Sequence, residues 1–252
     1  MTEAAAKTSE ASTVRVAVTQ HEPAWLDLEA GVKKTCKIVE EAAGKGAKLV
    51  AFPECWIPGY PAWIWTRPVD FDLGVKYVKN CLPINSSQMQ RICEAAATHQ
   101  INVSLGFSER DGNSVYIAQV LIDESGRIAM KRRKMKPTHM ERTIFGDASG
   151  DCLAAVVPLP NIGRVGGLSC WEHIQPLLKY YTLSQNEEIH VAAWPALDGF
   201  MHGSPGFWSM SVEGMYWYAP LLVKTADRDQ VVGICPRHML WNLKVTYFIV
   251  RL

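Results

Sequence analysis

The sequence predicts an α/β fold, with mixed sheets and helices on their outer faces, in a single domain reaching to about residue 218. Two strand–helix–strand passes carry that prediction, one near the N-terminus and one around residues 163–193, with hairpins between them. No internal repeat is visible in the sequence.

Residues 14–20 (VRVAVTQ) are β-branched and alternating, as a strand requires. Leu28, Val32, Cys36, Val39 and Ala43 then fall at helical spacing and predict a helix over 28–45, ended by Gly44 and Gly46. Residues 48–52 (KLVAF) are a short apolar strand that runs directly into Pro53-Glu54-Cys55. Strand, helix and strand in so short a span predict a parallel pair with a right-handed crossover. Residues 56–68 (WIPGYPAWIWTRP) form a loop, because proline is excluded from a central strand. Its three tryptophans and Tyr60 make either a satellite core or the wall of an apolar pocket, and we prefer the pocket. Ser86 is an N-cap for a helix over 86–99, through Met89, Ile92, Cys93, Ala96 and Ala97. Residues 101–107 are the next strand, and 116–122 and 128–131 flank a hairpin turn at Asp123-Glu124-Ser125-Gly126. The second pass is a strand over 163–169, a helix over 176–185 and a short buried strand over 189–193.

Composition narrows the function classes. The chain has 252 residues, 48% hydrophobic and 20% charged, with a net charge of +1, which gives no footprint for a nucleic-acid or membrane-surface partner. No apolar run approaches a bilayer span. Residues 1–13 lack both a basic start and an apolar segment, and are expected to be a disordered tail without a secretion signal. Seven scattered cysteines point to reduced thiols in the cytoplasm. Cys235 and His238 have a ligand-like spacing but no second pair, so no metal is expected.

Chemistry concentrates at strand ends. Gly166-Gly167-Leu168-Ser169-Cys170-Trp171-Glu172-His173 starts as a buried strand and ends in a cysteine followed by an aromatic and two ionisable side chains. A thiol at the rim of a sheet is placed to meet a ligand, although a buried structural cysteine would look the same. Glu54 follows one strand and Lys134 another, and ligands in α/β folds gather at such ends. A glutamate could take the thiol proton and a lysine could meet charge developing on a substrate. The plain alternatives are a turn-capping Glu54 and a solvated basic face over Lys131-Arg132-Arg133-Lys134-Met135-Lys136. No GxSxG elbow, Walker loop or dinucleotide-binding glycine pattern occurs, and His202-Gly203-Ser204 gives no triad. His173 is too near Cys170 in sequence to be assumed its base, since papain-like partners come from distant segments.

Three blocks in order, Phe52-Pro53-Glu54, then residues 133–142 (RKMKPTHMER), then Gly167-Leu168-Ser169-Cys170-Trp171-Glu172-His173, resemble the nitrilases of the carbon–nitrogen hydrolase superfamily. The resemblance covers about residues 14–214, and residues 174–195 are most similar to fungal-type nitrilases acting on arylacetonitriles. It implies a four-layer αββα sandwich, no metal or organic cofactor, and homo-oligomers paired across a helical face. By position, Glu54 resembles the general base, Lys134 the charge-stabilising lysine, Cys170 the nucleophile and Glu141 the second glutamate that positions the lysine. Trp171, Glu172 and His173, with Tyr60 and Trp194, are expected to line the substrate site. His173, where cyanide-hydrating relatives carry asparagine, favours an organic nitrile such as an arylacetonitrile, hydrolysed to acid and ammonia with some amide. Cyanide hydration and amide hydrolysis are the alternatives within the superfamily.

Residues 215–252 do not resemble the family's continuation and end in an apolar, strand-like run over 245–252. We expect this divergent segment to reflect an altered reading frame, a retained intron or a splice form. The usual C-terminal strands would then be missing and sheet edges left bare. That gives a third alternative, a non-catalytic subunit that binds intact homologues.

Overall fold

In the computed structural model of the chain, residues 14–19 and 21–195 are described with their side chains, and Val232–Pro236 and Thr246–Phe248 as backbone. The expected N-terminal tail, His202-Gly203-Ser204, His238 and most of the divergent segment lie outside the described residues.

Two sheets make the centre. The first has the order β10-β1-β2-β3-β4-β5, from β1 (Arg15–Val18), β2 (Leu49–Ala51), β3 (Asn102–Asp111), β4 (Ser114–Ile122), β5 (Ile128–Arg133) and β10 (Thr246–Phe248). The second has the order β6-β7-β8-β9, from β6 (Val156–Leu159), β7 (Gly163–Ser169), β8 (Ile189–Ala193) and β9 (Val232–Pro236). Strands β1, β2 and β3 are parallel, as are β7 and β8, which confirms the two crossover passes. Helices α1 (Leu28–Gly44), α2 (Phe71–Asn80), α3 (Ser87–His99) and α4 (Pro176–Ser184) account for the α-helical content of the described residues.

Alternation along the strands sets the layers. Ala17, Val50, Phe52, Val103, Leu105 and Phe107 turn one way and pack with Val32, Val39, Ile92 and Ala96 of α1 and α3. Val16, Leu49, Ala51 and Leu121 turn the other way, onto Val165, Ile189 and Val191 of the second sheet. Strands covered on both faces read as continuous apolar runs, which is why residues 48–52 gave so clear a signal. With α4 in the crossover from β7 to β8, the elements match the expected αββα sandwich.

The helix ends follow local chemistry. Asp27 caps α1 by accepting from the Ala30 N–H, and Ser86 caps α3 by accepting from the Met89 N–H. Past α1, Gly46 takes the left-handed conformation (φ 79°) that glycine adopts without cost.

Among the helices and strands, α2, β6 and β9 escaped the sequence reading. Helix α2 is capped by Asp70, yet Phe71 and Val75 are exposed and Gly74 adds no side chain to its apolar face, so its apolar periodicity is blurred. Strand β6 carries Pro158, a residue confined to edge strands, and β6 is such an edge. The expectation of bare edges is also corrected. Two strands of the divergent segment join the sheets, β9 antiparallel to β8 and β10 parallel to β1. Their backbones cover edges that would otherwise present unpaired N–H and C=O groups.

Candidate active site

The site forms where strands of both sheets run out. The chain leaves β2 through Phe52-Pro53 into Glu54, whose N–H donates to the Trp194 carbonyl just beyond β8 (3.2 Å). Strand β3 passes close behind, and Gly106 makes this approach feasible. A Cβ there would overlap the Pro53 carbonyl oxygen and lie 3.0 Å from the Glu54 Cα. Lys134 follows β5 and stays tied to β4 by its N–H to the Ile117 carbonyl (2.7 Å). Cys170 follows β7 at φ 49°, a left-handed conformation costly for a side chain with a Cβ, and opens a 3-10 turn over Cys170–Ile174.

These strand ends bring four predicted residues together. Lys134 Nζ donates to Glu54 Oε1 (3.1 Å) and to Glu141 Oε2 (2.7 Å), with all three side chains at most 1% exposed. Glu141 sits in the 3-10 turn His139–Thr143 and is held from other sides as well. Thr138 N–H donates to its Oε2 (2.6 Å) and Tyr60 Oη–H to its Oε1 (3.0 Å), while Trp65 Nε1–H donates to Tyr60 Oη (3.1 Å). The Trp65 ring in turn stacks on His139. Sulfur of Cys170 and carboxylate oxygens of Glu54 and Glu141 lie within 4.8 Å of one another, close enough to share a cation. The Lys134 ammonium already fills that role between the two carboxylates.

Burial sets the electrostatics. Two carboxylates around one ammonium leave an excess of negative charge in a buried site, and desolvation lifts Glu54 to about 8 against the pull of Lys134. Desolvation also raises the Cys170 thiol well above its usual value, opposed chiefly by Lys134. Burial disfavours the charge on Lys134, but Glu54, Cys170 and Glu141 together outweigh it and hold the proton on.

The basic run over residues 131–136 is not one solvated face. Successive residues of β5 point to opposite sides, so Lys131 and Arg133 reach out to Glu109 while Arg132 and Lys134 turn inward. Arg132 is fully buried and donates from both terminal nitrogens to Glu172 (2.8 and 2.7 Å). The two Glu172 oxygens also accept from the Ser169 N–H and the Met135 N–H, each at 2.9 Å. Glu172 was expected to line the substrate site; with four donors on its two oxygens it instead ties the Lys134 segment to the Cys170 turn. Arg132 outweighs desolvation and holds its carboxyl below the usual range. His173 also departs from expectation. Its Nδ1 meets the Cys170 carbonyl (2.6 Å) and its Nε2 meets His190 Nε2 (3.0 Å), so neither nitrogen is left for a substrate. Trp194 stacks on the His173 ring, and Trp171 packs with Cys170, Ala192 and Trp194. Arg132, Glu187 and His190 were not singled out from sequence; alternation along β5 would have found Arg132.

Comparison with known proteins decides the family. The carbon–nitrogen hydrolase profile matches residues 15–224, past the Gly214 limit of the sequence resemblance. The chain belongs to the carbon–nitrogen hydrolase family. It is 65% identical over 201 residues to an arylacetonitrilase of Aspergillus niger, covering 80% of this chain and 59% of that one. It is 63% identical to an arylacetonitrilase of Hypocrea virens, covering 80% of this chain and 60% of the relative. The chain thus spans about three fifths of the length of these curated relatives. Among solved structures, an amidase from Nesterenkonia sp. superposes with a TM-score of 0.59 at 18% identity, over 81% of this chain and 74% of the amidase. At that identity the likeness is one of fold alone.

The Arg132–Glu172 pair yields a stability prediction. Replacing one partner leaves an uncompensated buried charge, which costs about 3–5 kcal/mol. Glu172→Gln is expected to lower the unfolding free energy by about that amount in a urea titration, and a midpoint equal to that of the parent protein would contradict the assignment.

Proposed function

We propose that this chain is a nitrilase that hydrolyses an organic nitrile, of the arylacetonitrile kind, to a carboxylic acid and ammonia through a covalent Cys170 intermediate. The observation that carries the reading is the buried group in which one ammonium bridges two carboxylates beside a thiol, all at strand ends. The two fungal relatives described as arylacetonitrilases support the substrate class.

The proposed chemistry follows from the charges. A carboxylate lifted to about 8 is a strong enough base to accept a proton from the thiol, itself raised by burial. Glu54 takes the Cys170 proton, sulfur bonds to the nitrile carbon, and the proton passes to the nitrile nitrogen, giving a thioimidate. Lys134 and the Trp171 N–H meet the negative charge that develops on nitrogen. Glu54 then removes a proton from water as it adds to the thioimidate carbon, forming a tetrahedral intermediate. Protonated nitrogen leaves as ammonia to give a thioester, and a second water releases the acid and the thiol. Early departure of the thiol from the tetrahedral intermediate gives the amide. Glu141 acts by holding Lys134 in place.

Setting and assembly complete the reading. The six described cysteines are all free, which suits a reducing cytoplasm. Leu177, Tyr180 and Tyr181 lie exposed on α4 and suit a face through which copies of the chain pair. Among the described residues no helix is long and apolar enough to cross a membrane.

Ammonia release from phenylacetonitrile tests the reading directly. The parent protein is expected to release it, and Cys170→Ala to lose the activity with an unchanged circular-dichroism spectrum. Normal turnover by the variant would end the proposal. The pH profile gives a second test. Glu54 must be deprotonated to accept the thiol proton, so activity is present above its raised pKa and lost as pH falls through it. The acid limb of kcat/KM is therefore expected near 8, and a limb in the ordinary carboxylate range would contradict Glu54 as base.

A further inference from the structure

A second buried polar chain ends on the Cys170 backbone carbonyl, and the proposed reaction does not touch it. It runs from Cys170 O to His173 Nδ1 (2.6 Å), from His173 Nε2 to His190 Nε2 (3.0 Å), and from His190 Nδ1 to Glu187 Oε2 (2.9 Å). His173, His190 and Glu187 are each at most 3% exposed. Strand β7 makes room for it with a glycine: a Cβ on Gly166 would overlap Glu187 Oε2.

Hydrogen counting fixes much of the chain. The Cys170 carbonyl can only accept, so His173 Nδ1 carries a hydrogen. Burial, followed by the neighbouring His190, pushes the His173 ring down to about 3, so the ring is neutral and its Nε2 is bare. His190 Nε2 must then donate to it. The junction between His190 Nδ1 and Glu187 holds a single hydrogen, on nitrogen or on oxygen, and either placement satisfies every contact. The three side chains together are therefore neutral, which suits a buried site.

The receiving peptide explains what this chain does. The Cys170 C=O and the Trp171 N–H belong to one peptide unit, and that N–H donates to the Cys170 sulfur, favouring thiolate. A donor on the carbonyl orients and polarises the same unit and strengthens its N–H. It also holds Cys170 in its left-handed conformation.

We propose that Glu187 and His190 are positioning residues for Cys170, acting through His173 on the Cys170–Trp171 peptide whose N–H faces the sulfur. The catalytic consequence rests on the nitrilase reading above, whereas the arrangement of hydrogens and the reactivity of the thiol can be measured without it.

The experiment uses the full chain and three variants, Glu187→Leu, Glu187→Gln and Val191→Ala. Glutamine can present its amide N–H to His190 Nδ1, as a protonated carboxyl would, whereas leucine cannot. Valine 191 shares β8 but faces the core between the sheets, so its truncation controls for lost stability. Alkylation of Cys170 by iodoacetamide is followed by peptide mass spectrometry, well below each unfolding midpoint. Histidine nitrogen-15 spectra report which His173 nitrogen carries hydrogen.

We expect the Nδ1–H form of His173 in the parent protein and in Glu187→Gln. Alkylation is expected to slow at least about tenfold in Glu187→Leu and to recover most of that loss in Glu187→Gln. Val191→Ala is expected to alkylate at the parent rate. An Nε2–H form in the parent, or alkylation of Glu187→Leu within twofold of the parent, would overturn the proposal. Equal slowing in Val191→Ala would also overturn it, by showing a general loss of stability. If the parent behaves as expected in both measurements yet releases no ammonia from phenylacetonitrile, the nitrilase reading fails and the positioning role stands.

Discussion

The Lys134 ammonium between the Glu54 and Glu141 carboxylates is the interaction on which the rest of the site depends. A charge in a dry interior is tolerated only when paired and hydrogen-bonded, and here one cation serves two anions at 3.1 and 2.7 Å. The pairing has a surplus, because two carboxylates exceed one ammonium. That surplus and burial keep Glu54 basic, and the same burial keeps Cys170 protonated until a base removes its hydrogen. Stability and reactivity therefore come from the same charges.

Such a group needs rigid support, and the scaffold provides it in two layers. Toward the first sheet, Arg132 and Glu172 bind the chain after β5 to the turn after β7, so lysine and thiol cannot drift apart. Toward α4, the chain from Glu187 through His190 and His173 ends on the Cys170 carbonyl. Glycines mark both places where backbone or carboxylate must come close, Gly106 against Pro53 and Gly166 against Glu187. The residues of the motif Cys170-Trp171-Glu172-His173 thus divide the work. The first is the proposed nucleophile, and the last two support it through separate contacts, Glu172 with Arg132 and His173 with the Cys170 carbonyl.

Much of this was legible in the sequence, for identifiable reasons. Strands β2 and β8 are short runs buried throughout, β1 alternates, and α1 and α3 carry clean apolar stripes with side-chain caps, so pattern and structure agree. Glu54, Lys134, Glu141 and Cys170 stood out because each lies just beyond a strand or in the polar segment after one, within blocks resembling a known family. The supporting contacts were hidden because they are long-range. Glu187 and His190 look like ordinary residues around an apolar strand, and only the fold brings them behind Cys170. Glu172 and His173 were visible but misread, since adjacency to the cysteine suggests contact with substrate when their side chains turn the other way. Strands β9 and β10 come from a segment whose sequence gave no family pattern, and their pairing depends on partners more than thirty residues away.

The central claim is that this buried charge group makes Cys170 the atom that bonds to the substrate. Mass spectrometry on protein quenched with acid during turnover of phenylacetonitrile tests it most directly. The account predicts an added thioimidate or thioester mass on the peptide that contains Cys170 and on no other cysteine. Consumption of the nitrile with the adduct on a different residue, or with Cys170 never modified, would contradict it.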